Sequence, residues 1–201
     1  TEFGIGCRVI PASDDPLRTR VQIADGTWLD FQDYFVHRAH RDPVKAVRYD
    51  GAESAAPAPG AVAAIESADL VIIAPSNPPL SIWPILAIPD LQRAVAGRST
   101  VVAIRPLFRG KALKGPADRV MAGLGLPPGN AGVVAAYEGT ITDLVIDEDD
   151  RRDAASLGRA RDGDGEGPRI HVMPTRMTGP DRGAGFAHAL LDTVGTMRHL
   201  R

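Results

Sequence analysis

The pattern of hydrophobic and polar residues is most informative at residues 68–88, ADLVIIAPSNPPLSIWPILAI. The apolar run at 70–74 predicts a central strand of a parallel sheet, because a strand buried on both faces shows no polar alternation. A Pro/Ser/Asn loop follows, and a helix-like segment begins directly after it. The amides after Ser76 are therefore expected at a helix N-terminus, where phosphate binds. An ordinary strand-to-helix connection is the alternative.

The same alternation of strands and helices continues to the C-terminus. It predicts an α/β fold, Rossmann-like, with a mainly parallel sheet and helices on both faces. Residues 1–201 are interpreted as a single α/β domain. The predicted strands are 70–74, 100–104, 144–146 and 169–172, and the predicted helices are Ala61–Ser67, 90–96, 118–124, 130–137 with Asn130 as its cap, and 181–194.

The first fifty residues follow a different pattern. Two β-prone runs flank Asp25-Gly26, a strong tight-turn signal, and they predict a β-hairpin inside an insertion at 18–50. Residues 32–41 either extend the second strand or start a helix. The predicted strands here are 6–10, Arg18–Ile23, 28–31 and 44–49.

Composition excludes several classes of protein. A chain of 201 residues that is 44% hydrophobic can bury the core of one domain. A net charge of −2 argues against nucleic acid and anionic membranes as partners, because such surfaces need a net basic field. The single Cys7 forms no internal disulfide and is expected as a small core residue in a reducing cytoplasm. No apolar run reaches the ~18 residues of a membrane span.

Cations concentrate in the loop after the strand at 100–104, RPLFRGKALKGPADR. Open α/β sheets bind ligands at the C-terminal ends of their strands, so this loop predicts an anionic ligand. A solvated basic loop is the alternative. The cations are Arg105, Arg109, Lys111, Lys114 and Arg119.

The loops after Ala74, Ile104 and Met173 are expected at one edge of the sheet. Each carries hydroxyls, an amide side chain or cations, and the group that all of these recognise is phosphate. No dinucleotide-binding GxGxxG, P-loop, GxSxG or HExxH motif is present. The five histidines have no ligand spacing and predict no metal site.

Two polar segments remain. The acidic run at 147–150 either holds magnesium through carboxylates or forms a solvated loop that starts a helix. Residues 156–167 are interpreted as a mobile surface loop without chemistry.

Several separate segments together resemble the 2-phospho-L-lactate transferase family, which includes phosphoenolpyruvate transferase. They are RVIPASDDPLRTRV, DGTWLDFQDYFV, ADLVIIAPSNPPLSIWPILAIP, GKALKGPADRVMAGLG and DLVID. The resemblance runs over essentially the whole chain. It implies a role in making coenzyme F-420, in which the deazaflavin Fo attacks a diphosphoguanosine-activated phospholactate or phosphoenolpyruvate and releases GMP. Magnesium is the ion implied, and a homodimer the assembly.

One departure from the family pattern affects the metal. Family members carry an N-terminal βα segment with a glycine-rich loop and metal-binding aspartates ahead of the region seen here. The metal ligands are therefore unknown and expected in that segment. A chain that lacks it is expected to catalyse transfer poorly.

The resemblance also implies roles for individual residues. Ser76, Asn77 and Ser81 are expected to contact the ligand's phosphates or guanosine. Asp14 and Asp15 are catalytic candidates, as base, metal-orienting groups or ligands of Fo hydroxyls, although Ser-Asp-Asp-Pro is also good turn chemistry. The remaining candidates are Lys111 and Lys114 for the diphosphate, Thr178 for substrate, and Trp28 and Trp83 either for the deazaflavin or for packing.

The alternative function is UDP-sugar binding without turnover, as in the gluconeogenesis-factor type of regulatory protein. That type carries a GPGS loop where this chain has residues 74–77, APSN. The DGTWLDFQDYFV and KALKGPAD blocks favour the transferase branch. The sequence leaves the choice between phospholactate and phosphoenolpyruvate open, although an Ala-, Arg- and Asp-rich composition hints at an actinobacterium.

Overall fold

The computed structural model of the chain describes residues 6–158, 167–177 and 179–198. Its strands are β1 (Arg18–Ile23), β2 (Trp28–Asp30), β3 (Val44–Asp50), β4 (Val71–Ile73), β5 (Val101–Ile104), β6 (Leu107–Phe108), β7 (Lys111–Ala112), β8 (Asp143–Asp147) and β9 (Arg169–Met173). Its α-helices are α1 (Ala61–Ser67), α2 (Trp83–Leu86), α3 (Pro89–Ala96), α4 (Ala117–Gly123), α5 (Gly129–Ala136), α6 (Arg151–Gly158) and α7 (Pro180–Arg198). Tighter or wider helical turns cover Asp33–His37, Pro78–Ile82 and Glu148–Asp150.

The main sheet is parallel, in the order β4-β5-β8-β9. Successive residues of β5 point to opposite faces. Val102 packs with Phe186 of α7 on one face, whereas Ala103 packs with Met121 of α4 and Val133 of α5 on the other. The prediction of a Rossmann-like α/β fold with helices on both faces of a parallel sheet is confirmed.

The predicted N-terminal hairpin is also confirmed. Strand β1 pairs antiparallel with β2 and with β3. The Asp25 carboxylate accepts a hydrogen bond of 2.8 Å from the amide of Thr27, and Gly26 has a φ of 90°. Beyond β2 the chain turns into Asp33–His37 rather than extending the strand.

The small antiparallel sheet packs directly on the main domain. Val21 and Val44 share a buried cluster with Leu80 and with Val120 of α4. The Tyr49 hydroxyl of β3 donates a hydrogen bond of 2.6 Å to the carbonyl of Pro79. These contacts hold the small sheet against the loop that follows β4.

Four sequence predictions need correction. Residues 6–10 form no strand, and the nearest pairing is an isolated bridge between Ser13 and Pro57. Cys7 is exposed rather than buried. Among the described strands β4 lies at an edge of the sheet, and its Ile72 is 43% exposed. Asn130 lies inside α5 instead of capping it.

The predicted surface loop at 156–167 is also corrected in part. Residues 156–158 belong to α6, while 159–166 lie outside the described residues.

None of the described helices is long and apolar enough to cross a bilayer.

A buried carboxylate joins β8 to β9 at the N-terminal end of the sheet. Asp143 is 1% exposed and accepts hydrogen bonds of 2.7 Å from Arg169 and from His171, and one of 2.6 Å from Thr142. Burial alone would raise the pKa of Asp143, but the donors His171, Arg169 and Thr142 outweigh it and hold the pKa well below its usual range.

We predict that this cluster makes stability depend on acid. The folded pKa lies below the unfolded value of about 4, so the stabilisation is complete above the unfolded value and is lost progressively as pH falls from there toward the folded pKa. Asp143→Asn should lower the free energy of unfolding by about 3 kcal/mol at pH 7, and the deficit should shrink below about pH 4. Urea denaturation from pH 7 to pH 3 measures both. A deficit that is constant with pH would contradict the assignment.

A second prediction concerns the contact between α4 and β3. A Cβ atom at Gly123 would lie 2.0 Å from the carbonyl oxygen of Val44, whereas one at Gly183 of α7 would meet nothing within 4 Å. Gly123→Ala should therefore destabilise the fold by about 1–3 kcal/mol. The matched change Gly183→Ala should stabilise it by about 0.5–1 kcal/mol, because alanine favours helix. Equal effects in chemical denaturation would disprove the close packing.

Candidate functional site

The candidate site lies at the C-terminal edge of the parallel sheet. Because β4, β5, β8 and β9 run in the same direction, the loops after them share this edge. The three loops predicted to cluster here do so, and the acidic segment after β8 joins them. This edge is where open α/β sheets bind ligands.

One cavity of about 280 Å³ brings four of the predicted residues together. Its walls come from the loop after β4, from the start and the end of the loop after β5, and from the insertion. Lys114 is the only charged residue among those that line it. The predicted residues in the lining are Ser76, Asn77, Ser81 and Lys114.

The loop after β4 offers its donors differently from the sequence prediction. Pro78 and Pro79 have no amide hydrogen, the amide of Leu80 donates to the side chain of Asn77 at 3.2 Å, and the amide of Ser81 donates to the carbonyl of Asn77 at 2.9 Å. The backbone amides of residues 78–81 are therefore absent or engaged. Side chains, rather than helix N-terminal amides, supply the free donors.

Asn77 has both a structural and a binding end. Its Oδ1 accepts from Leu80 and caps the turn Pro78–Ile82. Its Nδ2 is buried and has no acceptor among the described residues. A buried donor without a partner costs free energy, so this amide is suited to an oxygen that a ligand supplies.

The two predicted lysines separate. Lys114 is exposed, lines the cavity and has no ion-pair partner among the described residues. The amine of Lys111 lies 3.6 Å from the Asp118 carboxylate, its side chain is 81% exposed, and it does not line the cavity. The structure thus brings one of the two lysines to the site.

Aromatic residues of the insertion also line this cavity. Phe31 and Phe35 line the cavity, with ring centroids 5.3 Å apart and planes at 24°. Trp83 instead donates its indole hydrogen to the carbonyl of Ala136 at 2.8 Å, and Trp28 lies under the guanidinium of Arg48. Both tryptophans therefore pack against other parts of this chain, which was the alternative to contact with the deazaflavin.

The two catalytic candidates lie elsewhere. The Asp15 carboxylate accepts a hydrogen bond of 2.8 Å from the amide of Ala56, and the Asp15 amide donates to the Ser13 hydroxyl at 2.9 Å. This is the turn chemistry that was the alternative. Asp14 is exposed, and neither aspartate lines the cavity. Thr178 lies outside the described residues.

A buried ion pair that the sequence did not predict lies at this edge of the sheet. Arg105 is fully buried and pairs with Asp150, and its guanidinium lies 4.7 Å from the centre of the Phe108 ring. Burial lowers the pKa of Arg105 to about 10, although nearby carboxylates, led by Asp147, oppose the shift. The group stays charged at neutral pH. Arg105 is therefore not part of a solvated basic loop.

The acidic run starts a helix, as one of its two interpretations predicted, but its carboxylates also make specific contacts. Asp147 accepts a hydrogen bond of 3.1 Å from the amide of Asp149 and caps the turn Glu148–Asp150, which leads directly into α6. Asp147 accepts hydrogen bonds of 2.9 Å from the amide and 2.7 Å from the hydroxyl of Thr175, while Asp149 pairs with Arg176 at 3.1 Å. The run thus joins the loops that follow β5, β8 and β9. A basic loop and an acidic run after neighbouring strands were the sequence signal for these pairs.

The described residues do not fit a magnesium site. No group of three or more His, Cys, Asp or Glu side chains converges for a metal in the part of the chain that the structure describes. Three carboxylates of the acidic run, those of Asp147, Asp149 and Asp150, already bind cations or hydroxyls of this chain. They offer no open set of oxygen ligands of the kind that magnesium requires.

The chain matches known proteins over most of its length. The family model for 2-phospho-L-lactate transferase CofD matches residues 2–168. The 2-phospho-L-lactate transferase of Haloarcula marismortui is 40% identical over 74% of this chain and 43% of its own. The phosphoenolpyruvate transferase of Thermobifida fusca is 34% identical over 93% and 56%, and the 2-phospho-L-lactate transferase of Methanosarcina acetivorans is 35% identical over 96% and 61%.

The chain spans about half the length of the curated relatives it matches. Among solved structures, a UPF0052-family protein of Bacillus halodurans covers 81% of this chain and 50% of its own, at 18% identity and a TM-score of 0.49. That likeness is too loose to bear on function.

We predict that the site edge depends on the buried ion pair. Asp150→Asn removes the carboxylate that pairs directly with the buried Arg105 guanidinium and should destabilise the fold by about 3–5 kcal/mol. Asp149→Asn removes only partly exposed pairs and should cost less than about 1 kcal/mol. Guanidinium denaturation of both variants measures the difference. Equal losses of stability would show that the buried pair with Arg105 contributes no more than the partly exposed pairs of Asp149.

Proposed function

We propose a transferase function for this chain, which belongs to the 2-phospho-L-lactate transferase CofD family. The proposed reaction transfers a phosphoenolpyruvyl or 2-phospholactyl group from a diphosphoguanosine donor to the deazaflavin Fo, with release of GMP, in the biosynthesis of coenzyme F-420. The enzyme is proposed to act as a homodimer in the cytoplasm.

The proposed step is a displacement at phosphorus. A terminal hydroxyl oxygen of Fo forms a bond to the phosphorus that carries the phospholactyl or phosphoenolpyruvyl group. The bond from that phosphorus to the bridging oxygen breaks, and GMP leaves with the electron pair. The hydroxyl proton is lost, and a phosphodiester results. Catalysis of such a step is mostly positioning and electrostatic stabilisation.

The observation that carries the proposal is the donor set of the cavity. Lys114 supplies a positive charge, Asn77 a buried amide donor without an acceptor, and Ser76 and Ser81 supply hydroxyls. Such a set of donors recognises phosphate oxygens. A lysine can also stabilise the negative charge that develops on these oxygens in the transition state. The cavity contains no carboxylate that would repel the diphosphate.

The residues that line this cavity include no candidate for a general base and no carboxylate that could bind a metal. Asp14 and Asp15 remain the proposed base candidates, although Asp15 is engaged in a turn. Magnesium remains the proposed ion, but the described carboxylates do not converge to hold it. The mechanism here therefore rests on binding and orientation of the donor.

The first test measures binding of GDP, binding of Fo by its fluorescence, and GMP formation with each activated donor. We expect saturable binding of both ligands and slow GMP formation that requires Fo. The donor that supports turnover identifies the group transferred. Binding of a UDP-sugar in place of GDP and Fo would overturn the proposal and favour the regulatory alternative.

Variants of the cavity refine the same test. Lys114→Met should weaken GDP binding about tenfold, because a charged hydrogen-bond donor is lost, whereas the matched control Lys111→Met should leave it unchanged. Asn77→Asp keeps the oxygen that caps the turn but replaces the free donor with a negative charge, so it should weaken GDP binding. Its unfolding midpoint is measured alongside, because a buried unpaired carboxylate oxygen also lowers stability. Equal effects of the two lysine variants would argue against this cavity.

A further inference from the structure

A hydrogen bond between side chains joins the insertion to α4 beside the candidate cavity. The guanidinium of Arg119 in α4 lies 2.9 Å from Nδ1 of His40, which follows the turn Asp33–His37. A guanidinium can only donate hydrogen bonds, so Nδ1 of His40 must accept this one. The imidazole is therefore neutral in this arrangement and carries its proton on Nε2.

The His40 ring also lies against the aromatic residues of the cavity. Its centroid is 5.0 Å from that of Phe35, which in turn stacks on Phe31 at 5.3 Å. Both phenylalanines line the cavity, and so does Ala117, the first residue of α4. His40 itself does not line it. The hydrogen bond from Arg119 thus ties the aromatic part of the cavity lining to the helix whose first residue also lines it.

The backbone at His40 is strained. Ala39 and His40 have φ angles of 49° and 44°, in a region that residues other than glycine, asparagine and aspartate seldom adopt. Such strain persists where surrounding contacts fix the conformation, and it is common at ligand-binding sites. The contacts that fix His40 are its amide, which donates to the carbonyl of Tyr34 at 2.8 Å, the ring of Phe35, and Arg119.

The other charged groups of the two segments that meet here mostly have partners of their own. The pairs are Asp33–His37 at 2.8 Å, Arg38–Asp42 at 3.1 Å and Lys111–Asp118 at 3.6 Å. Arg41 is exposed and adds a further positive charge. Tyr34 is buried, which raises its pKa and keeps it neutral. Among the described residues, the charged partner of His40 is therefore Arg119, a group of the same sign as a protonated imidazole.

We infer that His40 is a positioning residue for the candidate cavity, and that its protonation releases Phe35 and weakens ligand binding. Neutral His40 accepts from Arg119 and packs on Phe35. A proton on Nδ1 removes the acceptor and places a second cation beside Arg119. Histidine side chains ordinarily change charge between about pH 5 and pH 8, so ligand affinity should fall as the pH decreases through this range. The inference rests on the proposed function, because it concerns regulation of the same site.

The first test compares the wild-type chain with His40→Asn, with GDP as the probe. Asparagine tolerates a positive φ and its Oδ1 can accept from Arg119, but it does not titrate. Calorimetry at about pH 8 and about pH 5.5 should show that the wild-type chain loses about fivefold more affinity than His40→Asn, the effect of one hydrogen bond. The phosphates of GDP and the imidazole of His37 titrate in both proteins, so the comparison removes their contribution.

Variants of Arg119 test the other side of the hydrogen bond. Arg119→Met removes the donor and leaves His40 in place, so it should weaken GDP binding about fivefold at about pH 8 and abolish the excess pH dependence. Arg119→Lys keeps a charged donor and should restore most of the affinity that Arg119→Met loses. Unfolding midpoints, measured at both pH values, show that each variant is folded.

The outcomes separate the inference from the proposed function. If the wild-type chain binds GDP and His40→Asn shows the same dependence on pH, the inference is overturned and the proposed function stands. If the folded wild-type chain does not bind GDP, the proposed function fails and an NMR titration decides the inference. The ring resonances of Phe35 should then follow the protonation of His40 in the wild-type chain and stay constant in His40→Asn. Phe35 resonances that ignore the protonation of His40 would overturn the inference in either case.

Discussion

The buried pair between Arg105 and Asp150 is the interaction on which the candidate site depends. A fully buried guanidinium requires a counter-ion, and Asp150 in the segment after β8 supplies it. The chain continues from Arg105 through Pro106, which lines the cavity, to Lys114. Asp147, through Thr175, ties the end of β9 to the same place. The loops that line the candidate cavity are thus held by charged residues that do not line it.

The insertion completes the site rather than decorating the sheet. The small sheet packs on the turn Pro78–Ile82 through the Tyr49 hydrogen bond and the buried cluster around Val44. This packing places Phe31 near Leu80.

Local sequence patterns were enough for most of the fold. The apolar runs placed β4, β5, β8 and β9, and Asp25-Gly26 placed the hairpin, because strand burial and turn geometry depend on residues that are close in sequence. The grouping of Ser76, Asn77, Ser81 and Lys114 also followed, since parallel strands bring their C-terminal loops to one edge. The family resemblance added the chemistry, which neither periodicity nor charge specifies.

The sequence by itself determined the order of the elements and the edge of the sheet that carries the site. Tertiary structure alone decided which polar residues line a cavity. Arg105 and Lys114 are both cations of one loop, yet one is buried against Asp150 and the other faces a cavity. Asp15 binds a backbone amide more than forty residues away, while Asp30 lines a cavity. Such partners are distant in sequence, and burial and hydrogen bonding between distant segments leave no local pattern.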